Sequence, residues 1–234
     1  MTSSATYSFQ PGAGEVILAA YSMCGIRRTQ IVTEHLVDAA YQSNMLMSEL
    51  TNANPWQWTL ETQSIPLTAG LGVYTLTPRT VAIAVAYIET TTGTAPNTVT
   101  TGRVMGVLSA SEYAAIPNKG QQGFPNSYWL NLGVSTPTIT LYFVPDSAYT
   151  YTMQLQTFRQ LQDVNPANGQ TLDIPYRFLD AFTTGLAYRL AGIYAPQRKQ
   201  DLKMDYAERL TAAAAQDQER VPMHIYPGLS GYFR

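Results

Sequence analysis

Cysteine is almost missing from this chain of 234 residues, where Cys24 is the single one. One thiol excludes an internal disulfide framework and any zinc site built on a cysteine cluster. Histidine is nearly as scarce: His35 and His224 stand far apart and make a poor start for a metal centre. Charge is sparse too. Lys+Arg number 14 and Asp+Glu 16, a net charge of −2, and charged residues make up 13% of the chain, against about 25% in an average soluble domain. The clear Lys/Arg excess of a freely basic nucleic-acid binder is not there. No run of roughly eighteen apolar residues occurs, so no segment reads as a membrane span. The opening Met1-Thr2-Ser3-Ser4-Ala5-Thr6 has neither a basic nor an apolar region. No secretory signal is expected from it, and the expected setting is a reducing host cytoplasm or assembly there into something larger.

Catalytic signatures are equally thin. The phosphate-cradling GxxxxGKS/T, the GxSxG elbow and the HExxH helix do not occur. His35 lies inside a helical pattern and His224 in the C-terminal segment, so both read as surface or interface imidazoles rather than bases. Cys24, near a helix end, reads as a small core residue, because buried thiols are inert. Glu34 and Asp38 share a helix face. A glycosidase needs two carboxylates about 5–10 Å apart across a cleft, whereas neighbours on one amphipathic helix are its wet face. Glu112 is the other acid a cell-wall hydrolase would use. Trp56 and Trp58 could stack on bases or sugars, but the simpler role is to plug a junction between helical and β parts. Arg27-Arg28 reads as a solvated turn. No catalytic, cofactor or metal site is expected.

What the chain does hold is apolar and aromatic. Hydrophobic residues make up 45%, and Tyr alone numbers 16. That content excludes disorder. The length suits one large domain or two small ones, with roughly 70% of the unfolded surface buried.

The periodicities run helix, strand, helix, which predicts an α+β fold rather than alternating α/β. Residues 1–12 read as an extended arm ending at Pro11-Gly12. A short helix spans about 14–23 and stops at Gly25. Thr29 or Thr33 caps a second helix running to Leu50, with Leu36, Ala40, Ser43, Met47 and Leu50 as its stripe. From Ile65 to Arg159 the helical signal gives way to strands at 72–77, 82–89, 103–108, 127–132, 138–144 and 149–159. The last is the clearest, since Tyr149, Tyr151, Met153, Leu155 and Thr157 alternate with polar residues. Segments 90–101 and 117–127 read as loops, long enough to be functional or mobile. A helix opens after Asp173-Ile174-Pro175 and runs to Tyr194, striped by Phe178, Phe182, Leu186, Leu190 and Ile193. A last helix covers 197–218, with Asp205 and Arg209 as an i,i+4 pair. Residues 221–234 contain Pro222, Pro227, Gly228 and Gly231, which forbid a regular helix, yet are too apolar for a solvated end.

The order of these pieces resembles a known group. The stretches are Thr33-Glu34-His35-Leu36 through Asn44-Met45-Leu46-Met47 and Trp56-Gln57-Trp58; Leu108-Ser109-Ala110-Ser111-Glu112-Tyr113-Ala114-Ala115-Ile116 and Gly123-Phe124-Pro125-Asn126-Ser127-Tyr128-Trp129-Leu130; Pro137-Thr138-Ile139-Thr140-Leu141-Tyr142-Phe143-Val144-Pro145; and Ile174-Pro175-Tyr176-Arg177-Phe178 through Gly185-Leu186-Ala187-Tyr188-Arg189-Leu190-Ala191. Over about 14–218 the chain resembles the head-to-tail adaptor (connector) proteins of tailed bacteriophages, the group that includes podovirus tail tubular proteins of the A type. The likeness rests on packing and turn residues in order.

The resemblance implies a ring, typically of twelve copies, seated under the portal of a virion, with helices walling a channel for double-stranded DNA. It implies an antiparallel helical bundle from the N- and C-terminal segments, an inserted antiparallel β domain facing tail nozzle or fibre proteins, and an arm that docks on the portal. The expected parts are 1–58, 59–165, 166–220 packing on 13–52, and the arm 221–234. In the arm, portal docking falls to Met223, His224, Ile225 and Tyr226, then Leu229, Tyr232, Phe233 and Arg234. In loop 117–127, Lys119, Gln121, Gln122 and Phe124 are the expected contact to a tail component. No cofactor and no membrane partner are expected. The low charge and abundant Tyr fit subunits covered by neighbours. The mild acidity suits DNA that must pass without a salt-dependent grip. The alternative is a carbohydrate- or receptor-binding β module on a helical stalk, using loops 90–101 and 117–127.

Overall fold

The computed structural model describes residues 9–92, 99–166 and 169–218. The portal-docking residues expected at 221–234 lie outside them. Among the described residues the fold is α+β, with five α-helices and mainly antiparallel sheets.

Helix α1 covers Ala13–Met23 and buries Val16, Ile17, Ala20 and Tyr21. It stops at the expected glycine. Gly25 sits at φ +88°, its N–H donates to Ser22 O at 2.9 Å, and Ile26 N–H donates to Tyr21 O at 3.0 Å. Those two bonds satisfy the last carbonyls in the pattern that left-handed glycine makes possible. Helix α2, Thr33–Ala53, is capped by neither threonine proposed for it. Val32 is the cap residue, and its N–H donates to His35 Nδ1 at 3.4 Å.

Helix α2 also turns differently from its predicted stripe. Ser43, Met47 and Leu50 are buried with Ala39 and Leu46, but Leu36 is exposed. Both faces of this helix carry apolar residues, and only one of them meets α4, Tyr176–Tyr194. That helix is the centre of the helical core. It buries Phe178, Phe182, Leu186 and Leu190 as expected, while Ile193 faces solvent. Helix α5, Lys199–Gln216, packs on α4 through Leu202, Tyr206 and Ala213. Arg209 does not pair with Asp205 on its own helix. It reaches Asp180 of α4, so its charge joins two helices.

Trp56 belongs to this core. Its indole N–H donates to Leu50 O at 2.7 Å, and its ring meets Phe178 edge-on at 4.8 Å. Both tryptophans pack against the helical core at the point where α2 gives way to the first strand, where one of them was expected to plug the junction. Gln57–Thr59, which carries Trp58, is a short 3₁₀ turn.

The first sheet holds β1 (Leu60–Pro66), β10 (Thr150–Arg159), β3 (Thr80–Thr92) and β4 (Val99–Val104), in that order. Alternation in β10 is as expected, with Tyr151, Met153, Leu155 and Thr157 buried. Segment 90–101 is not a plain loop. Thr90 pairs with Thr101 and Thr92 with Val99, and the Thr90 and Thr101 hydroxyls meet at 2.8 Å. β-Branched threonines suit a pleated surface. Strand β1 lies before the first strand that the sequence predicts.

The second sheet runs β2 (Val73–Thr75), β8 (Thr138–Tyr142), β7 (Ser127–Asn131) and β5 (Gly106–Leu108). The segment expected as one strand at 103–108 changes sheets at Met105, whose N–H donates to Ala86 O at 2.9 Å while Gly106 N–H donates to Asn126 O at 2.8 Å. Two short pairings are parallel: β5 with β7, and β6 (Gln122–Gly123) with β9 (Val144–Pro145). The chain between β5 and β7 is long enough for a crossover, which parallel pairing requires. It contains helix α3, Ala110–Ala115, also unforeseen. A second core of Tyr74, Ile88, Tyr128, Ile139, Leu141, Tyr151 and Leu155 fills the space between the sheets.

Arg159, at the end of β10, ties the strands to the approach to α4. Its guanidinium pairs with Asp173, whose Oδ2 also accepts the Gln162 N–H at 3.1 Å.

Candidate functional site

Among the described residues, Cys24, His35, Asp38 and Glu112 are held in structural contacts. The Cys24 thiol is buried and donates to Ala187 O at 3.3 Å, and burial pushes it up to about 11, far from a reactive thiolate. The His35 ring stacks on Tyr194 at 4.6 Å. Tyr21 donates its hydroxyl to the His35 carbonyl at 2.5 Å. Tyr194 donates to Asp38 Oδ2 at 2.5 Å, so Asp38 clamps α2 to the end of α4, while Glu34 stays exposed. Glu112 is the cap partner of α3. Its carboxylate accepts the Ser109 N–H at 2.7 Å, and that bond, with the Ser109 side chain, holds it below the usual carboxylate range. A general acid needs the opposite shift. Arg27 and Arg28 are exposed at a turn. Among the described residues, no group of three or more His, Cys, Asp or Glu is placed to hold a metal ion, and no helix is long and apolar enough to cross a membrane.

The four residues expected to meet a tail component divide into two kinds. Lys119 donates to the Ala114 and Ile116 carbonyls at 3.1 and 2.9 Å and lies over the Tyr113 ring at 5.6 Å. It closes the C-terminal end of α3. Phe124 is half-buried against Tyr151, edge to face at 5.7 Å, with the Arg103 guanidinium 5.4 Å above it. Gln121 and Gln122 are exposed, although the Gln121 carbonyl accepts the Val144 N–H at 3.0 Å. Together with Arg103, Asn126 and Phe143, the two glutamines and Phe124 line a shallow depression of about 300 Å³. The loop backbone is therefore pinned, and its two glutamine side chains face outward.

The helical side carries surfaces that the sequence reading missed. Val37, Tyr41 and Met45 recur every fourth residue along the outer face of α2 and stay exposed, Tyr41 at 65%. That spacing places them on one stripe. Beside it, Leu18, Ile31, Leu36, Val37 and Ala40 line an apolar groove of about 580 Å³ between α1 and α2. The signal was in the sequence, since α2 shows two apolar stripes where a surface helix needs one. A second apolar groove, about 570 Å³, lies between α1 and the start of α4, lined by Phe9, Val16, Ala19, Tyr176, Leu179 and Thr183 among others.

A protein-family model described as SU10 adaptor protein matches residues 27–226. No curated protein matches the chain.

Proposed function

The chain belongs to the SU10 adaptor protein family of phage adaptors, and from that premise we propose that it is a non-enzymatic structural subunit of a ring between portal and tail. A phage adaptor is a virion component. The narrower reading adds what the resemblance implies: an arrangement close to the podovirus tail tubular group, about twelve copies, and a channel through which double-stranded DNA passes unread. Assembly takes place in the host cytoplasm.

The observation that carries the ring is the outer stripe of α2. Val37, Tyr41 and Met45 are exposed apolar side chains beside an apolar groove, on a helix whose opposite face is already buried against α4. An exposed patch of this kind marks a surface awaiting a partner. Repetition of one head-to-tail contact closes a ring when the rotation between copies allows it. In this reading the helical segments form the bundle that contacts neighbouring copies, 59–165 is the inserted β domain that meets tail nozzle or fibre proteins through Gln121 and Gln122, and 221–234 docks on the portal.

Mixing the purified chain with its portal at moderate salt and imaging the product by electron cryomicroscopy tests the proposal. A ring stacked on the portal is the expected image. Free subunits beside bare portals would overturn it.

A further inference from the structure

The groove between α1 and α4 stands where both described ends of the chain emerge. Phe9 lines it near one end and Gln216 near the other. Phe9 and Tyr176 are 71% and 73% exposed, yet their rings hold each other edge-on at 6.3 Å beside an apolar floor of Val16, Ala19 and Leu179. Two large aromatics facing water around apolar walls are unusual on a chain that is complete in itself. The lining is also unsatisfied in one polar respect: Arg177 Nε is buried with no hydrogen-bond partner among the described residues. The rim carries Glu15 and Asp180, both exposed.

The segment that follows matches these features. Residues 219–234 begin two positions after Asp217 and carry Met223, Ile225, Tyr226, Leu229, Tyr232 and Phe233, with Arg220 near their start. Asp217 is fixed by Arg177 and by the Gln57 N–H, and Gln216 beside it lines the groove, so the described chain ends at the groove's mouth. Extended at about 3.3 Å per residue, residues 219–234 reach roughly 50 Å, ample to traverse the groove. Pro222 and Pro227 reduce the entropy lost on binding in an extended form. Attachment at the mouth gives an effective concentration on the order of millimolar, so weak contacts suffice.

We propose that in the free subunit the arm 219–234 lies in the groove of its own chain. Its apolar side chains cover Val16, Ala19 and Leu179, a main-chain carbonyl accepts from Arg177 Nε, and Arg220 meets the acidic rim. Arm and groove hide each other's apolar surface. The portal then competes for the arm, a step that rests on the docking function proposed above, whereas the resting contact does not.

Trypsin cleavage after Arg220 in the full-length chain reads the contact directly. Tyr176→Ser removes an exposed ring, and Ala19→Arg places a charge on the half-buried floor. Each is expected to speed that cleavage at least fivefold without changing the thermal melt, and so is an excess of synthetic peptide 219–234 added to the unmodified chain. Equal cleavage rates in all of these, with melts unchanged, would overturn the proposal. Protection that strengthens with protein concentration, together with sedimentation as a dimer, would give the groove to a second copy's arm and overturn it as well. Separately, an arm that is dispensable for portal binding would sink the docking function and leave the resting contact standing.

Discussion

Asp217, the cap residue at the C-terminal end of α5, takes the Arg177 guanidinium on one carboxylate oxygen and the Gln57 N–H on the other, at 2.9 Å for the latter. Its side chain is 1% exposed. One carboxylate thus joins α5, the first turn of α4 and the turn between α2 and β1. Asp217→Ala leaves Arg177 without its ion-pair partner and Gln57 without its acceptor. Removing one member of a fully buried pair costs about 3–5 kcal/mol. Arg177 keeps some solvent, so the expected loss is about 2 kcal/mol, read as a lower urea midpoint at unchanged slope. A midpoint equal to that of the unmodified chain would show that the clamp contributes nothing.

Gly185 on α4 is a contact glycine. A Cβ built there would lie 2.7 Å from the Tyr206 ring of α5 and 3.2 Å from Leu46 of α2. Gly185→Ala forces three packed helices apart, and overpacking of this kind costs roughly 1–3 kcal/mol. The Tyr206 hydroxyl is buried without a hydrogen-bond partner among the described residues, and burial pushes it up to about 12. Tyr206→Phe is therefore expected to be neutral or to raise stability by about 1 kcal/mol, since an unsatisfied buried group is removed. Thermal melts of the two variants should move in opposite directions, or only the first should move.

Burial alone would raise the Asp173 carboxyl, but the Arg159 guanidinium and the Gln162 N–H outweigh it and hold the group below the usual carboxylate range. A depressed folded value means the ionised form is preferred in the native state. The stability this gives is complete above the unfolded value of about 3.9 and is lost as pH falls below it through the folded value. As pH falls below about 4 the unmodified chain should lose stability more steeply than Asp173→Asn. Identical slopes would contradict the pairing of Arg159 with Asp173.

Loop 117–127 separates contact from support. Phe124→Ala removes a half-buried ring from Tyr151 and Arg103 and should cost about 2 kcal/mol. Gln121→Ala with Gln122→Ala touches exposed side chains and should leave the melt unchanged while weakening co-sedimentation with tail components. A large stability loss from the glutamine pair would return them to the fold's own packing.

The strong periodicities were legible from the residues alone: β10, with Met153 and Leu155 inward, and α4, with Phe178 to Leu190 on one stripe. Strand β1 was not, because two of its three inward residues, Glu61 and Gln63, are polar and only Ile65 is apolar. Gln63 reaches Thr77, Thr80 and Thr157 through its amide at 2.7, 3.0 and 2.9 Å, so alternation of hydrophobicity had little to show. Helix α3 is only Ala110–Ala115, too short for a period, although Ser109 and Glu112 are a capping pair that announces it. The exposure of Leu36 has the most consequence. Periodicity finds apolar faces, but it does not say which face meets the subunit's own core and which meets another molecule. Leu36 and Val37 are exposed in the subunit, and their assignment to a contact between copies is the proposal made above.

The most direct measurement is the mass of the complex formed with the portal by the unmodified chain and by Tyr41→Glu. Tyr41 is exposed in the subunit, so the variant should melt with the unmodified chain. The unmodified chain should add a closed ring's mass to the portal, and Tyr41→Glu should add little or none. Full ring mass with Tyr41→Glu would contradict the assignment of the α2 outer face to the contact between copies.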